Sequence, residues 1–215
     1  ANFVGTYNTA PAALTDFSSC VARLDAFGVP PEDRYFVLDP TTMNAAFVTM
    51  AAVVQPFTQF TKQYGDSHVM NALNARWFTG QNIRAHTVGA LGGTPIVNGV
   101  PTSGATTLAI DGLSASITDW ALEGDVFTIA GVNAVNTITG EDLGFLRQFV
   151  ITANATSSAG GGVTLSIFPA ITSSGGRKTV SALPADNAAL TMVTTAGSVV
   201  AKSPLFFHKD WAALC

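Results

Sequence analysis

The strongest constraint on the fold is a change of pattern near residue 82, after which the chain is rich in Thr, Gly, Val and Ala. Short apolar segments follow one another there, and several alternate apolar and polar residues with the period of a β-strand. Gly-rich pieces such as Gly92-Gly93-Thr-Pro95 and Gly160-Gly161-Gly162 separate them and favour turns. Five segments are predicted strands: Thr106–Ile110, Asp125–Ala130, Phe145–Thr152, Val163–Phe168 and Ala189–Thr195. Five or six short strands at this spacing predict a small barrel or sandwich.

The first 81 residues predict two helices and one strand. Apolar residues recur at three- and four-residue steps, which indicates one face of a helix: Leu14, Phe17, Val21 and Leu24. Gly28 ends this helix, and the apolar run Arg34–Leu38 predicts a buried strand. Asp39-Pro40 then supplies an N-cap and a proline at the first helical position, opening a helix through about Val54. The predicted fold class is therefore α+β, with a β module inserted in an α+β unit.

The scarcity of charge decides how such a chain behaves in water. Only 11% of its residues are charged, against a usual share of about a quarter. Surface this poor in charge is buried either in a membrane or against other protein. The longest uncharged stretches are broken by Pro, Gly, Asn or Gln, and none has the roughly 20 consecutive apolar residues of a membrane-spanning helix. The N-terminus also lacks the pattern of a signal peptide. We therefore expect a soluble chain that assembles and does not enter a membrane.

The distribution of reactive residues predicts neither an enzyme nor a cofactor-binding protein. No G-x-S-x-G, H-x-x-x-H, C-x-x-C or calcium-loop pattern occurs, and His68, His86 and His208 stand in unrelated contexts. We expect no catalytic residues, no metal site and no cofactor. The net charge of −4 and scattered basic residues argue against a nucleic-acid-binding protein. Cys20 and Cys215 are too few for a disulfide framework, which favours a reduced, intracellular site of synthesis.

A family resemblance enters at several motifs that stand in matching order. They are the segments 122–133 (LEGDVFTIAGVN), 146–153 (LRQFVITA), 166–171 (SIFPAI), 184–187 (PADN) and 207–214 (FHKDWAAL). Segments 34–40 (RYFVLDP) and 81–87 (QNIRAHT) are also similar at matching spacing. Together these segments resemble the coat proteins of short-tailed Salmonella-type phages, a family of tailed double-stranded-DNA bacteriophages. The likeness runs along nearly the whole chain.

The resemblance implies the Hong Kong 97-type capsid fold, with an axial domain interrupted by a small antiparallel β-barrel insertion domain. Residues 1–81 would match part of the axial domain, 82–205 the insertion barrel, and 206–215 the return to the axial domain. The family's N-terminal arm, extended loop, long spine helix and C-terminal peripheral strands have no counterpart here. We therefore expect residues 1–215 to be an excerpt of a longer coat protein.

The resemblance also implies a structural function. The chain would be a subunit of an icosahedral phage head, assembling into hexamers and pentamers that enclose double-stranded DNA. Its partners would be other copies of itself, with scaffolding, portal or decoration proteins as further partners, and packaged DNA only non-specifically. Its location would be the virion, after synthesis in the cytoplasm of the bacterial host.

Two loops are candidates for contacts between capsomers. The first, Leu91–Ala105, is long and nearly uncharged, and the second, Asn133–Gly144, joins two predicted strands. The candidate residues are Gly92, Gly93, Thr94, Pro95, Val97, Val100, Pro101, Asn136, Glu141 and Asp142. Exposed hairpin connections without a binding role fit the same sequence about as well.

Two other classes of function stay open. The Thr/Gly-rich strands also suit a carbohydrate- or surface-binding β module of a phage fibre or adhesin, which saturable binding on a glycan array would favour. A hydrolase with a dispersed site is a third reading, and it would need turnover that is lost when a histidine is replaced.

Overall fold

The computed structural model describes residues 2–9, 11, 13–53, 68–194 and 200–211. The chain divides into two compact units. The sheet unit comprises Val4–Ala85 and Lys202–Cys215, and the barrel unit comprises Ala1–Phe3 and His86–Ala201. Strand β4 (Ala85–Thr87) pairs with β11 (Val200–Lys202) in a two-stranded sheet. These two strands contain two of the three points at which the chain passes from one unit to the other, and the third lies between Phe3 and Val4.

The sheet unit contains two helices and a four-stranded sheet. Its elements are α1 (Leu14–Ala26), β1 (Arg34–Leu38), α2 (Pro40–Val53), β2 (His68–Ala72), β3 (Ala75–Thr79), β12 (Leu205–His208) and a 3₁₀ turn, Lys209–Trp211. The strand order is β12-β1-β3-β2, with β1 parallel to β3 and antiparallel to β12. Strand β1 therefore pairs with one strand that precedes the barrel in sequence and with one that follows it.

Aromatic packing forms the core of the sheet unit. Phe17 of α1 meets Phe36 of β1 and Trp77 of β3, with ring centroids 5.8 and 4.9 Å away. Phe206 of β12 stacks on Phe36 at 3.9 Å. This explains the helical periodicity of α1, because the apolar face that its spacing predicts is the face that covers the sheet.

The barrel unit is a nearly closed six-stranded antiparallel barrel. Its strands are β5 (Gly93–Val97), β6 (Ala105–Leu113), β7 (Val126–Val135), β8 (Asp142–Ile151), β9 (Val163–Ile171) and β10 (Leu190–Met192). Their order is β10-β7-β8-β9-β6-β5. An antiparallel bridge between Ile96 and Ala189 brings the two edges together. Closure satisfies the edge groups that an open sheet would leave exposed.

Alternating residues of the barrel strands fill its interior. Phe127, Phe149, Ile151 and Leu165 are fully buried in one cluster with Trp120. The Trp120 indole N–H donates to the Gly92 carbonyl at 2.8 Å, so its one polar group is satisfied inside the core. The predicted barrel is confirmed, since all five predicted strands lie at β6 to β10.

Several elements differ from the sequence prediction, and the short strands β4 and β11 were not predicted. The hairpin β2–β3 was not predicted, and β5 lies in the segment predicted to be a loop. The run Leu205–Leu214 predicts a strand that leaves the barrel, but the strand ends at His208 and Lys209–Trp211 forms a 3₁₀ turn. Within the described part of the chain, neither helix has both the length and the apolar character needed to cross a membrane.

Candidate interaction surface

Strand direction brings three connections to one end of the barrel. Because neighbouring strands are antiparallel, five strand termini lie at this end of the barrel: the last residues of β5, β7 and β9 and the first residues of β6 and β8. The connections between these strands therefore meet there. We call residues 98–104, 136–141 and 172–189 together the loop end.

The β7–β8 hairpin is fixed by hydrogen bonds around Asn136. Its side-chain Oδ1 accepts the backbone N–H groups of Ile138 at 2.8 Å and Thr139 at 3.2 Å. Its own N–H donates to the Glu141 carbonyl at 2.9 Å, and Gly140 N–H donates to the Asn136 carbonyl at 2.8 Å. This rigid turn holds Ile138 at its tip with 76% of the residue exposed.

Asp142 fixes the base of the same hairpin. Its carboxylate accepts the Gly144 N–H at 2.7 Å and the Asn133 side-chain amide at 3.0 Å. The Gly144 and Asn133 hydrogen bonds, with the nearby charge of Lys178, hold the pKa of Asp142 below its ordinary value. Asp142 is therefore a structural acid of the hairpin that keeps its negative charge at the surface.

The β5–β6 connection is anchored at both of its ends. The Gly99 N–H donates to Asp186 Oδ1 at 2.8 Å, and the Gly104 N–H donates to the Ile171 carbonyl at 2.7 Å. Between these anchors Val100 is 60% exposed. Like the β7–β8 hairpin, this loop is held by hydrogen bonds and carries an exposed apolar side chain.

The connection after β9 joins the other two loops. The Ser173 N–H donates to Ser103 Oγ at 3.2 Å, which links it to the β5–β6 connection. Lys178 Nζ donates to the Gly140 carbonyl at 3.3 Å, which links it to the hairpin. Thr179 Oγ1 accepts the Thr172 N–H at 3.0 Å and closes the connection on itself. The three loops therefore form one hydrogen-bonded surface.

The prediction that Leu91–Ala105 is a loop is wrong for the first half of this segment. Residues 93–97 are strand β5, which contains the candidates Gly93, Thr94, Pro95 and Val97. Val97 is fully buried in the barrel core, so it offers no surface to another subunit. Gly93 pairs with Leu113, the last residue of β6, so Gly92 and Gly93 lie away from the loop end that holds Val100.

The remaining candidate residues lie together at the loop end. They are Val100, Pro101, Asn136, Glu141 and Asp142. Their use as contacts stays a prediction. The sequence analysis missed the residues that tie the loops together, because polar residues in turn-rich sequence give no signal of a partner 38 or more positions away. They are Asp186, Ser103, Ser173 and Lys178.

Two of the histidines each lie beside a different acidic residue. His86 pairs with Asp125, while His208 lies 3.6 Å from Asp210 near the chain end. Among the described residues, no group of three or more His, Cys, Asp or Glu side chains is placed to hold a metal ion.

Comparison with known proteins gives a limited result. No protein-family model matches the chain, and no curated protein matches it. A solved structure described as the CUS-3 coat protein I-domain is 27% identical and has a TM-score of 0.30. The match covers 54% of this chain and 100% of that chain. A TM-score of this size does not establish a shared fold.

Proposed function

We propose that this chain is a structural part of the coat protein of an icosahedral phage head, and that it is not an enzyme. The ordered sequence motifs resembling short-tailed phage coat proteins motivate this proposal. The connectivity supports it, since β1 pairs with both β3 and β12 while the barrel is inserted between them in sequence. In this proposal the sheet unit belongs to an axial domain of the Hong Kong 97 type, and the barrel is its insertion.

The rigid loop end is the observation that carries the proposal. Two exposed apolar tips, Val100 and Ile138, stand on loops already fixed by hydrogen bonds. A pre-ordered loop loses little conformational entropy on association, so a small apolar contact suffices to bind. Charges of both signs lie near the Ile138 tip, because Lys178 contacts the Gly140 carbonyl beside Glu141 and Asp142. Charged groups around a contact determine the orientation of the partner more than the affinity of binding.

The low charge of the whole chain fits the same function. Its 10 basic and 14 acidic residues leave much of the surface neutral, and neutral surface associates more readily than charged surface. Repetition in a closed symmetric shell multiplies weak contacts, so each contact needs little affinity. We propose other copies in hexamers and pentamers as the main partners, with scaffolding, portal or decoration proteins as others. The shell would enclose DNA without sequence-specific contacts and would be found in the virion.

Expression together with a scaffolding protein tests the shell proposal. We expect icosahedral particles with rings of five and six by electron microscopy, and a high-mass peak by size-exclusion chromatography. A protein that stays monomeric at high concentration with scaffolding protein present would contradict it.

Replacement of the loop tips tests the surface. Val100→Ser and Ile138→Ser should each reduce particle yield while leaving the melting temperature unchanged, because both side chains are exposed. Val48→Ser is the matched control, since Val48 is 67% exposed on α2, outside the loop end. Equal yields for all three variants would show that the loop end is not a contact.

A further inference from the structure

The outer face of the barrel carries an uncharged surface that the loop end does not include. Phe127, Phe149, Ile151, Leu165 and Ile167 point inward, so the residues between them on β7, β8 and β9 point outward. The outward residues nearest the middle of these strands are Thr128, Gln148, Val150, Ser166, Phe168 and Ala170. None of the six is charged.

Strand register places the apolar members of this face side by side. Val126 pairs with Val150, and Val150 pairs with Phe168, so the three form a row across β7, β8 and β9. Phe168 is 63% exposed. Leu146, also exposed, lies four residues before Val150 on the same side of β8. Val126 is buried, so the apolar surface on this outer face consists of Phe168, Leu146 and the half-buried Val150.

Gln148 is buried although it points away from the barrel core. It is only 8% exposed, and it lies between Leu146 and Val150 on β8. Its Oε1 accepts the backbone N–H of Phe3, and its Nε2 donates to the backbone carbonyl of Phe3 at 2.8 Å. The side-chain amide thus satisfies both main-chain groups of a single residue, as a neighbouring strand would.

We propose that the outer face of β7–β9 is a docking surface for an extended peptide segment, that the N-terminal segment of this chain occupies it, and that Gln148 is the residue that holds it. The segment at Phe3 belongs to the barrel unit, although the chain from Val4 onward belongs to the sheet unit. Gln148 and Phe3 are 145 positions apart. We call the two hydrogen bonds between the Gln148 side chain and the Phe3 backbone the clasp. The clasp holds the segment at Phe3 on the barrel unit, whereas the residues that follow Phe3 in sequence belong to the sheet unit.

The chemistry of the clasp defines what the surface recognises. Gln148 forms hydrogen bonds with main-chain N–H and C=O groups, so it binds an extended backbone and does not select a particular side chain. The uncharged row beside it offers apolar contact without a requirement for a charged partner. The fitting ligand is therefore a short extended segment with few charges, which Asn2 and Phe3 provide.

Hydrogen exchange of the Phe3 amide in the full chain tests the clasp. Gln148→Leu removes both hydrogen bonds and should speed Phe3 exchange by roughly tenfold or more. Gln148→Glu keeps an acceptor for the Phe3 N–H but removes the donor to the Phe3 carbonyl, so it should give an intermediate rate. Ser166→Ala is the matched control on the same face and should leave the rate unchanged. Protected amides of Phe127 and Phe149 in each variant show that the barrel is folded.

A mixture of isotope-labelled and unlabelled chains identifies the source of the segment. We expect nuclear Overhauser effects between Phe3 and Gln148 only within one chain. Effects between labelled and unlabelled chains would show that a second copy supplies the segment, and they would overturn the intramolecular clasp. Unchanged Phe3 exchange in both Gln148 variants would overturn the docking surface itself.

Discussion

Nε2 of His86 lies 2.9 Å from Oδ1 of Asp125, where the chain enters the barrel, and the Asp125 side chain is completely buried. The other carboxylate oxygen accepts the Gly89 N–H at 3.1 Å and the Leu122 N–H at 2.8 Å. One carboxylate therefore joins β4, the segment after it and the turn before β7. A buried carboxylate is tolerated here because two backbone N–H groups donate to it and the His86 ring nitrogen lies within hydrogen-bonding distance.

Replacement of Asp125 should destabilise the barrel in a graded way. Asp125→Ala leaves the backbone N–H groups of buried Gly89 and half-buried Leu122 without their acceptor and should cost about 3 kcal/mol. Asp125→Asn should cost clearly less, because its carbonyl oxygen can still accept both N–H groups while its amide faces His86. Urea unfolding followed by tryptophan fluorescence measures both free energies. Equal losses for the two variants would contradict the role assigned to the backbone bonds.

Gly89 allows the segment after β4 to lie against the turn at Trp120 and Ala121. A Cβ at position 89 would stand 2.5 Å from the Trp120 carbonyl oxygen and from Ala121 Cα. Since both are backbone atoms, the conflict needs a shift of the chain. Gly89→Ala should therefore cost about 1–3 kcal/mol of unfolding free energy.

Gly160 is the matched control for this prediction. A Cβ there would meet only Ser158 Oγ, at 3.9 Å, and the residue has no positive φ. Gly160→Ala should be neutral or stabilising by a few tenths of a kcal/mol, because it restricts the unfolded chain. Thermal unfolding of the two variants in parallel separates a packing conflict from a general effect of losing glycine.

Some strands were predictable from sequence because their pattern and their burial agree. In β8 the period-two pattern at Leu146–Ile151 matches inward Phe149 and Ile151 and outward Gln148 and Val150. The Asp39-Pro40 pair likewise marks the start of α2 correctly. These predictions rest on local chemistry, and the local chemistry decides the outcome at both places.

The missed elements lack such a local mark. The β2–β3 hairpin turns at Leu73 and Asn74, which both have positive φ, near 53° and 54°. Leucine rarely adopts this conformation, so the turn carries no glycine signal. Strand β5 begins with Gly93-Thr-Pro95, which is typical of a loop, and it becomes a strand by pairing with β6. Tertiary pairing overrides propensity there.

The candidate surface was predictable only in part, for the same reason. Ile138 and Val100 lie in turn-rich segments that sequence marks as exposed connections. Their meeting at one end depends on strand order, which propensity does not encode. The clasp at Gln148 could not be predicted from the sequence, because a glutamine in the middle of a strand pattern looks like any other polar residue that points outward.

Cys20 should react slowly with alkylating agents. Burial and the nearby negative charge of Asp16 raise the pKa of the Cys20 thiol to about 11. Because the thiolate is the reactive form, iodoacetamide at pH 8 should modify Cys20 about a hundredfold more slowly than an unperturbed thiol of pKa about 8.5. Mass spectrometry in a Cys215→Ser background isolates this thiol. The same protein in urea is the reference, and equal rates with and without urea would contradict the prediction.

The stability that Asp39 gives to the protein by capping α2 should depend on pH. Burial raises the pKa of its carboxyl, but hydrogen bonds from the Thr42 hydroxyl and backbone outweigh this and leave the pKa below its ordinary value. Oδ1 accepts the Thr42 hydroxyl at 2.5 Å and Oδ2 accepts the Thr42 N–H at 3.3 Å, which is the geometry of an N-cap. Asp39→Ala should therefore cost about 1 kcal/mol at neutral pH.

The sign of the pH effect follows from the lowered pKa of Asp39. A carboxylate with a lowered pKa in the folded state stabilises above the unfolded pKa, and the contribution disappears as pH falls through the folded value. The difference in stability between the wild type and Asp39→Ala should therefore shrink on acidification below about pH 4. Asp39→Asn separates charge from capping, since asparagine caps a helix nearly as well as aspartate but does not titrate in this range. Its difference from Asp39→Ala should stay constant with pH, and denaturant unfolding between neutral pH and pH 3 measures all three proteins.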